Sequence, residues 1–309
     1  MPIAGGTDLM PNMKHRLFTP NHLVGLKGVA EMRGIYLADA DGRPAGDGDA
    51  VQVVIGAGET LSAVSANPLV RERFSSLARA AGLVAGPQIR NQGTMGGNLC
   101  LDTRCTYYNQ SHFWRQALGY CLKKYGEVCH VTKVGKKCVA AASADTPPVL
   151  ITLGAVADLV GGGRPRTVPI EEFFVADGIW NTVREPGEIV VRIRVPLPPP
   201  GTRLAYQKVR QRNSIDFPLL SIALSARIAT DDTLEAVSLV VSALGARPRV
   251  VSGLEKVAVG LPFDDAREAV AEQAYKQSRP LENIIVDPEW RRAMVPVYVR
   301  RAMGAASTG

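Results

Sequence analysis

The sequence predicts an α+β fold in two parts, with a larger domain at residues 1–197 and a smaller α/β domain at residues 201–309. Short apolar runs that end in glycine alternate with helical stretches, which is typical of mixed α and β structure. The predicted boundary is Pro196-Leu197-Pro198-Pro199-Pro200-Gly201, because regular elements do not continue through successive prolines. Four spaced cysteines mark an insert in the larger domain, at about residues 101–142.

Each element is predicted from its local pattern. Residues 2–9 combine small side chains with Gly5-Gly6, as in a strand that runs into a tight turn. Further strands of the first part are predicted at 51–55, 156–160 and 188–195, and a helix at 77–83. In the second part, strands at 217–228 and 234–244 flank the turn Asp231-Asp232, and helices follow at 264–277 and 290–303.

The composition is that of an ordinary globular protein. Hydrophobic residues make up 46% and charged residues 21% of the chain, which excludes the disordered and fibrous classes. No apolar run approaches the roughly 18 residues of a membrane span, and the opening MPIAGGTDLM lacks the pattern of a secretory signal. We therefore expect a cytoplasmic protein without a membrane partner, whose thiols are reduced.

The formal net charge of +7 raises the alternative of a basic nucleic-acid-binding protein with a structural metal site. That alternative predicts salt-dependent DNA binding and no flavin. The basic residues are spread along the chain, however, and no concentrated stripe suggests a nucleic-acid partner. One local group lies beside the cysteines and could meet an acidic protein: Lys123, Lys124, Lys133, Lys136 and Lys137.

The cysteines Cys105, Cys121, Cys129 and Cys138 follow the spacing C-x15-C-x7-C-x8-C. Four thiolates are the usual ligands of a [4Fe-4S] cluster and also of structural zinc. Zinc ligands commonly come in pairs two to four residues apart, and no such pair is present, so the spacing favours iron-sulfur. Zinc and unligated thiols remain the alternatives from chemistry alone. His112 and His130 also lie in this segment, but four cysteines already complete the set.

Two glycine-rich segments are typical of phosphate-binding loops. They are Ala4-Gly5-Gly6-Thr7-Asp8 and Gly93-Thr94-Met95-Gly96-Gly97-Asn98. Glycines leave the backbone N–H groups unobstructed and permit the φ values that a close approach to a pyrophosphate requires. Neither segment fits G-x-G-x-x-G or a Walker A loop, so a Rossmann-type nucleotide site is not predicted.

Together, residues 3–9 and 88–98 resemble the two FAD loops of the molybdenum hydroxylase flavoprotein family, which includes the flavin parts of xanthine dehydrogenase and carbon monoxide dehydrogenase. The resemblance continues through residues 143–148, 188–190 and 206–210, so it covers nearly the whole chain. It implies the family's two-part FAD-binding domain, followed by a smaller C-terminal domain. Members normally carry a further strand and helix before the first loop, so we expect the packing at the adenine side to differ.

The resemblance also implies which residues bind FAD. Around the pyrophosphate it places Ile3, Ala4, Gly5, Gly6, Thr7, Asp8 and Leu9. Thr94, Gly97 and Asn98 complete the phosphate and ribityl contacts, and Asp145, Val190 and Lys208 lie nearer the flavin.

The insert is the feature that distinguishes this sequence within the family. Most members run from the Gly-Gly-Asn loop almost directly into the Asp145 motif, whereas about forty residues intervene here. The insert and Gly97 to Cys105 resemble the 4-hydroxybenzoyl-CoA reductase subtype, whose insert holds a [4Fe-4S] cluster. The implied cluster ligands are Cys105, Cys121, Cys129 and Cys138, and Cys100 is interpreted as a packing residue.

The resemblance implies an electron-transfer subunit with FAD and a [4Fe-4S] cluster and with no catalytic residue of its own. Its implied partners are a molybdenum-cofactor large subunit, a [2Fe-2S] small subunit and a ferredoxin, in a dimer of heterotrimers. The implied reaction is the reductive removal of the phenolic hydroxyl of 4-hydroxybenzoyl-CoA on the molybdenum subunit. The alternative enzyme is a related hydroxylase that oxidises an aromatic or heterocyclic substrate.

Overall fold

The first segment of the chain forms a small ribbon. In the computed structural model, which describes residues 1–307, strand β1 (Pro2–Ile3) pairs in parallel with β2 (Val24–Gly25). Between them lies helix α1 (Leu9–Lys14), and a single 3-10 turn follows β2 at Ala30–Met32. The predicted strand at 2–9 is therefore only two residues long, and the glycine turn leads directly into a helix.

A five-stranded antiparallel sheet is the framework of the first part. Its order is β3 (Ile35–Ala38), β4 (Gln52–Gly56), β7 (Ile189–Pro196), β5 (Val156–Val160) and β6 (Arg166–Pro169). Because β4 and β7 are central, their side chains are buried more completely than those of the edge strands. The sequence predicted β4, β5 and β7 to within about two residues at each end, and these predictions are confirmed.

The first part also contains short helices. They are α2 (Leu61–Ala66), α3 (Pro68–Arg73), α4 (Ser75–Gly82), α5 (Pro87–Arg90), α6 (Met95–Leu99), α7 (His112–Ala117), α8 (Thr146–Thr152) and α9 (Ile170–Phe173). Several begin at a capping side chain: Thr60 accepts a hydrogen bond from the Ala63 N–H, and Asn67 accepts one from Val70. The predicted helix at 77–83 is confirmed as α4.

The second part is a four-stranded antiparallel sheet with helices on one face. The strand order is β11 (Arg249–Val250), β10 (Leu234–Ser242), β9 (Leu220–Ile228) and β8 (Thr202–Val209). After a short α10 (Leu254–Val257), the long helices α11 (Phe263–Gln277) and α12 (Pro288–Ser307) cover the sheet. The predicted strands and helices of this part are confirmed, whereas β8, the two-residue β11 and the short α10 were not predicted.

The other face of this second sheet packs on the first part. Helix α8 contacts β9 and β10, and α4 contacts β8. Tyr206, Ala223 and Val240 of the second sheet consequently belong to the same buried core as the first sheet. The mixed fold of two parts is thus the one that the sequence predicts.

No helix within residues 1–307 combines the length and the apolar character that crossing a membrane requires.

An ion pair between the partly exposed Arg166 and the buried Glu188 joins β6 to the turn before β7. Arg166 donates from Nε and Nη2 to the two carboxylate oxygens of Glu188, at 2.7 and 2.8 Å, and the Glu185 N–H donates to the same carboxylate at 2.6 Å. The Arg166 contact lowers the pKa of Glu188 from its usual value to about 2. Since the folded protein holds this carboxylate ionised, its contribution to stability is present above about pH 4.5 and is lost as the pH falls toward 2.

We predict that Glu188→Gln removes part of the acid sensitivity of folding. The free energy of unfolding of the full chain, measured by denaturant titration between pH 6 and 3, should fall less steeply in the variant than in the wild type. Glu172→Gln, which changes an exposed glutamate of α9, is the control and should follow the wild-type profile. Parallel curves for wild type and Glu188→Gln would contradict the prediction.

Candidate cofactor sites

The two glycine loops predicted from the sequence lie against each other. A Cβ atom on Gly5 would stand 1.9 Å from the Gln92 carbonyl oxygen, so only glycine permits this approach. Gly6 has φ +70°, which turns the chain into α1. Ile3, Ala4, Gly5, Gly6, Thr7, Asp8 and Leu9 are all half-buried. The first loop therefore packs closely against the second and remains partly exposed to solvent.

The second loop is fixed to the turn that follows β4. The Met95 N–H donates to the Glu59 carbonyl, and the Gly96 N–H donates to the Ala57 carbonyl, both at 2.8 Å. A Cβ on Gly96 would be 2.8 Å from the Ala57 Cβ, so this position also requires glycine. The Thr94 hydroxyl begins α6 by accepting from the Gly97 N–H at 3.1 Å.

Within the second loop, Gly97 and Asn98 have different environments. Gly97 is exposed, so its backbone is open to a ligand. Asn98 is buried, and its Oδ1 accepts from the backbone N–H of Thr146 at 3.1 Å and from the Thr146 hydroxyl at 2.7 Å. Asn98 thus joins the loop to α8. The two loops together form an accessible, glycine-lined surface that suits a phosphate-bearing ligand.

Asp145 and Lys208, both predicted as FAD-site residues, form a buried ion pair. Lys208 Nζ lies 2.9 Å from Asp145 Oδ2 and donates also to the Leu83 carbonyl at 3.0 Å, while the Tyr206 hydroxyl donates to Asp145 Oδ1 at 2.6 Å. Burial raises the pKa of Asp145 and lowers that of Lys208, and each partner's charge opposes the effect of burial on the other. The network joins β8 to the start of α8.

Val190, the third residue that was predicted to lie near the flavin, is on β7 opposite Leu159, in the main core.

The four cysteines of the insert come together although they are far apart in sequence. Cys105, Cys121, Cys129 and Cys138 line one pocket. The remaining wall is Tyr107, Tyr108, Leu122, Lys123, His130, Val131, Val139 and Ala140. Cys100 does not line this pocket but packs against the main core, as predicted.

Four thiols are a donor set that both a [4Fe-4S] cluster and structural zinc use. A tetrahedral zinc site brings its sulfurs within about 2.3 Å of one ion. In residues 1–307, no three His, Cys, Asp or Glu side chains are grouped so as to hold a metal ion. The four thiols share a pocket without forming a preformed single-ion site. His130 lines the pocket, and its Nε2 lies 2.5 Å from the Tyr120 carbonyl oxygen.

The environments of the thiols differ in polarity. Burial raises the pKa of Cys105, and it raises that of Cys138 to about 11. At Cys129 burial acts in the same direction, but contacts from Thr132 and from the backbone N–H groups of Val131 and Val139 outweigh it and lower the pKa. Metal binding at such a pocket displaces thiol protons, so it is linked to proton release.

The insert is joined directly to the first glycine loop. Arg104, which precedes Cys105, forms an ion pair with Asp8, and Asp8 also accepts from Asn12 Nδ2 at 3.0 Å. Burial raises the pKa of Asp8, and the Arg104 charge opposes that rise. Arg104 and Ala141 exchange two backbone hydrogen bonds of 2.8 and 2.7 Å, which close the insert at its neck. The side chain of Asp8 is therefore used to hold the insert.

A small apolar cluster provides the second contact between the insert and the first segment. Leu17, which follows α1, packs with Tyr108 and Cys121 of the insert, and all three are buried. The Arg115 guanidinium donates to the His15 carbonyl at 2.5 Å. The glycine loop and the cysteine pocket are thus parts of one packed unit.

Comparison with known proteins assigns both parts of the chain to described families. Residues 1–198 match the family described as the FAD binding domain in molybdopterin dehydrogenase. Residues 205–306 match the CO dehydrogenase flavoprotein C-terminal domain. The chain belongs to the molybdenum hydroxylase flavoprotein family. This result confirms the family resemblance and the FAD-binding fold predicted from the sequence.

Individual relatives agree with the family assignment. The carbon monoxide dehydrogenase medium chain of Hydrogenophaga pseudoflava is 29% identical over 305 residues, which cover 98% of this chain and 88% of the relative. The aldehyde oxidoreductase FAD-binding subunit PaoB of Escherichia coli K12 is 33% identical over 230 residues, 72% of this chain and 69% of the relative. This chain is accordingly an FAD-binding oxidoreductase subunit of the molybdenum hydroxylase type.

Solved structures show the same fold. The carbon monoxide dehydrogenase from Hydrogenophaga pseudoflava that lacks the Mo-pyranopterin moiety of the molybdenum cofactor matches with a TM-score of 0.77 at 27% identity. The match covers 100% of this chain and 89% of that one.

Three residues of this region were not predicted from the sequence. Arg104 forms an ion pair with Asp8, and Lys123 forms one with Asp102. The Tyr206 hydroxyl donates a hydrogen bond to Asp145. Arg104 and Tyr206 lie within the motifs on which the family resemblance rests, so they could have been proposed as site residues from the sequence. In the sequence, nothing distinguishes Lys123 from the exposed lysines Lys133, Lys136 and Lys137 of the same segment.

We predict that Lys208→Met destabilises the chain by about 3–5 kcal/mol, because it leaves the Asp145 carboxylate buried without its cation. Tyr206→Phe, the control, removes one hydrogen bond and keeps the cation, so a smaller loss of about 2 kcal/mol is expected. Both are measured by denaturant unfolding. Equal losses of unfolding free energy in the two variants would show that the Lys208 charge does not stabilise the buried Asp145 carboxylate.

Proposed function

We propose that this chain is the FAD and [4Fe-4S] electron-transfer subunit of a molybdenum enzyme complex of the 4-hydroxybenzoyl-CoA reductase type. The observation that carries the proposal is the four-cysteine pocket of the insert, joined to the first glycine loop through Arg104 and Asp8. The sequence from Gly97 to Cys105 and the length of the insert add support, because they resemble that subtype.

The proposed FAD contacts are distributed over the residues described above. Backbone groups of Ile3 to Leu9 would hold the pyrophosphate, with Thr94, Gly97 and Asn98 beside them, and Asp145, Val190 and Lys208 would lie toward the flavin. FAD, when bound, supplies one- and two-electron redox chemistry. The contribution of this chain is to bind and orient it: backbone hydrogen bonds join the second loop to the turn after β4, and the first loop packs against the second. We further propose a domain division at 1–197 and 201–309, which agrees with the extents of the two family matches.

The cysteine pocket fits the proposed cluster by its donors and by its surroundings. Cys105, Cys121, Cys129 and Cys138 would be the ligands. A [4Fe-4S] cluster, when bound, supplies one-electron transfer. Tyr107, Tyr108 and the apolar residues of the wall would limit the access of water, which is one of the factors that set the potential of such centres.

The proposed partners follow from the same assignment. They are a molybdenum-cofactor large subunit and a [2Fe-2S] small subunit, in a dimer of heterotrimers located in the cytoplasm, with a ferredoxin as the electron donor. Lys133, Lys136 and Lys137, which are exposed, lie between Cys129 and Cys138 in the chain and would attract an acidic donor. Substrate chemistry would occur on the large subunit, where the phenolic hydroxyl leaves as water after the uptake of two electrons and two protons.

We predict that Gly5→Ala weakens FAD binding by about 10- to 100-fold, because the added methyl group meets the Gln92 carbonyl and forces the two loops apart. The matched control is Gly28→Ala, since a Cβ at Gly28 meets no atom within 4 Å. Flavin released from the purified complex is quantified by absorbance after dilution. Equal flavin retention in both variants would refute the proposed contact.

We predict that the anaerobically purified complex, with its partner subunits coexpressed, contains about four irons in the insert in addition to those of the small subunit. Cys121→Ser should lose these irons and keep its FAD, whereas Cys100→Ser, outside the pocket, should keep both. Iron, zinc and flavin are quantified for each variant. Zinc in place of the irons would overturn the cluster assignment.

The same preparations test the reaction. With reduced ferredoxin, the wild-type complex should convert 4-hydroxybenzoyl-CoA to benzoyl-CoA, and Cys121→Ser should lose this activity while an artificial dye still reduces its flavin. Full iron content without this activity, together with oxidation of an aromatic or heterocyclic substrate, would replace the reductase by the related hydroxylase.

A further inference from the structure

A lysine side chain forms part of the wall of the cysteine pocket. Lys123 is two residues from Cys121, and it lines the pocket together with all four cysteines. Only 4% of its side chain is exposed, although the neighbouring lysines at positions 133, 136 and 137 are exposed to solvent. A buried ammonium is costly unless it has partners, so its position requires an explanation.

Three residues hold the ammonium in place. Lys123 Nζ lies 2.6 Å from Asp102 Oδ1 and 3.3 Å from the Thr103 carbonyl oxygen, and it also reaches the Thr103 hydroxyl. It stands 4.4 Å from the centre of the Tyr108 ring, within the range of a cation–π contact. Asp102 and Thr103 lie on the segment that leads from the second glycine loop to Cys105. The positive charge is therefore held beside the segment that leads into Cys105.

The charge acts on the pocket electrostatically. The Lys123 side chain and the four cysteine side chains line the same pocket, so the ammonium lies beside the space in which negative charge on the sulfurs would collect. Inside a protein such an interaction is far less screened than at the surface. Four thiolates bring concentrated negative charge to the same space, and the net charge around a cluster is one of the factors that set its reduction potential.

We propose that Lys123 is a positioning residue that sets the reduction potential of the four-cysteine centre, raising it by a fixed positive charge. Asp102 has the opposite effect, because it places a negative charge beside the ammonium. The inference rests on the proposed iron-sulfur centre.

The redox step is a simple one-electron exchange. A reduced one-electron donor of the ferredoxin class gives up one electron and is oxidised, and the centre held by the four thiolates gains that electron and one unit of negative charge. No bond forms or breaks and no proton is needed. The Lys123 ammonium stabilises the added charge, and so favours the reduced form relative to the oxidised one.

The test uses the whole complex and pairs two substitutions of opposite sign. Lys123→Met removes the positive charge and should shift the midpoint potential of the centre to more negative values. Asp102→Asn removes the negative charge and should shift it to more positive values. Potentials are read from a redox titration followed by electron paramagnetic resonance, and the flavin midpoint in the same samples serves as an internal reference that should not move.

Two further variants serve as controls. Lys123→Arg keeps the charge and should restore a potential close to that of the wild type. Lys137→Met removes an exposed lysine directly beside the ligand Cys138, and should leave the potential almost unchanged because solvent screens that charge. A shift in Lys137→Met as large as that in Lys123→Met would overturn the proposal.

The outcomes separate this inference from the proposed function. A wild-type complex without iron in the insert refutes the iron-sulfur proposal itself. Full iron content in Lys123→Met with an unchanged potential refutes only the role of Lys123. If Lys123→Met loses its iron, Asp102→Asn decides: a more positive potential supports the inference, and an unchanged or more negative one overturns it.

Discussion

The ion pair between Arg104 and Asp8 is the contact on which the arrangement of both cofactor sites depends. Arg104 reaches the first glycine loop with its side chain and closes the neck of the insert with its backbone. Its guanidinium also stacks 4.3 Å over the Phe217 ring, so the same residue contacts the second part of the chain. Because the pair is largely shielded from solvent, its geometry is held more firmly than that of a surface salt bridge.

A second set of contacts supports the insert from the C-terminal side. The Thr106 N–H donates to the Asn283 carbonyl at 2.8 Å, and Asn283 Nδ2 donates to the Val139 carbonyl at 2.7 Å. Asn283 is in turn held by the buried Arg291 of α12. The cysteine-bearing segment has little regular secondary structure apart from α7. Its conformation therefore depends on these contacts with both parts of the chain.

The sequence was sufficient for features that local chemistry determines. The glycine loops, the central strands and the four cysteines are recognisable because their residue types are required at each position. Strand β8 was missed because both of its faces are covered, by α4 and by α12, so its sequence lacks a clear alternation. The Lys123 to Asp102 contact joins residues 21 positions apart through an irregular loop, and no periodicity predicts such a contact.

The closed neck of the insert has an evolutionary consequence. Since the segment leaves and rejoins the flavin-binding fold at the paired residues Arg104 and Ala141, its removal would leave the ends of the flanking helices α6 and α8 close enough to be joined directly. A lineage can therefore gain or lose such a segment in one genetic event without rebuilding the surrounding fold. What must change alongside it is small: a covering for Leu17, and new hydrogen-bond partners for the carbonyl and the side-chain amide of Asn283.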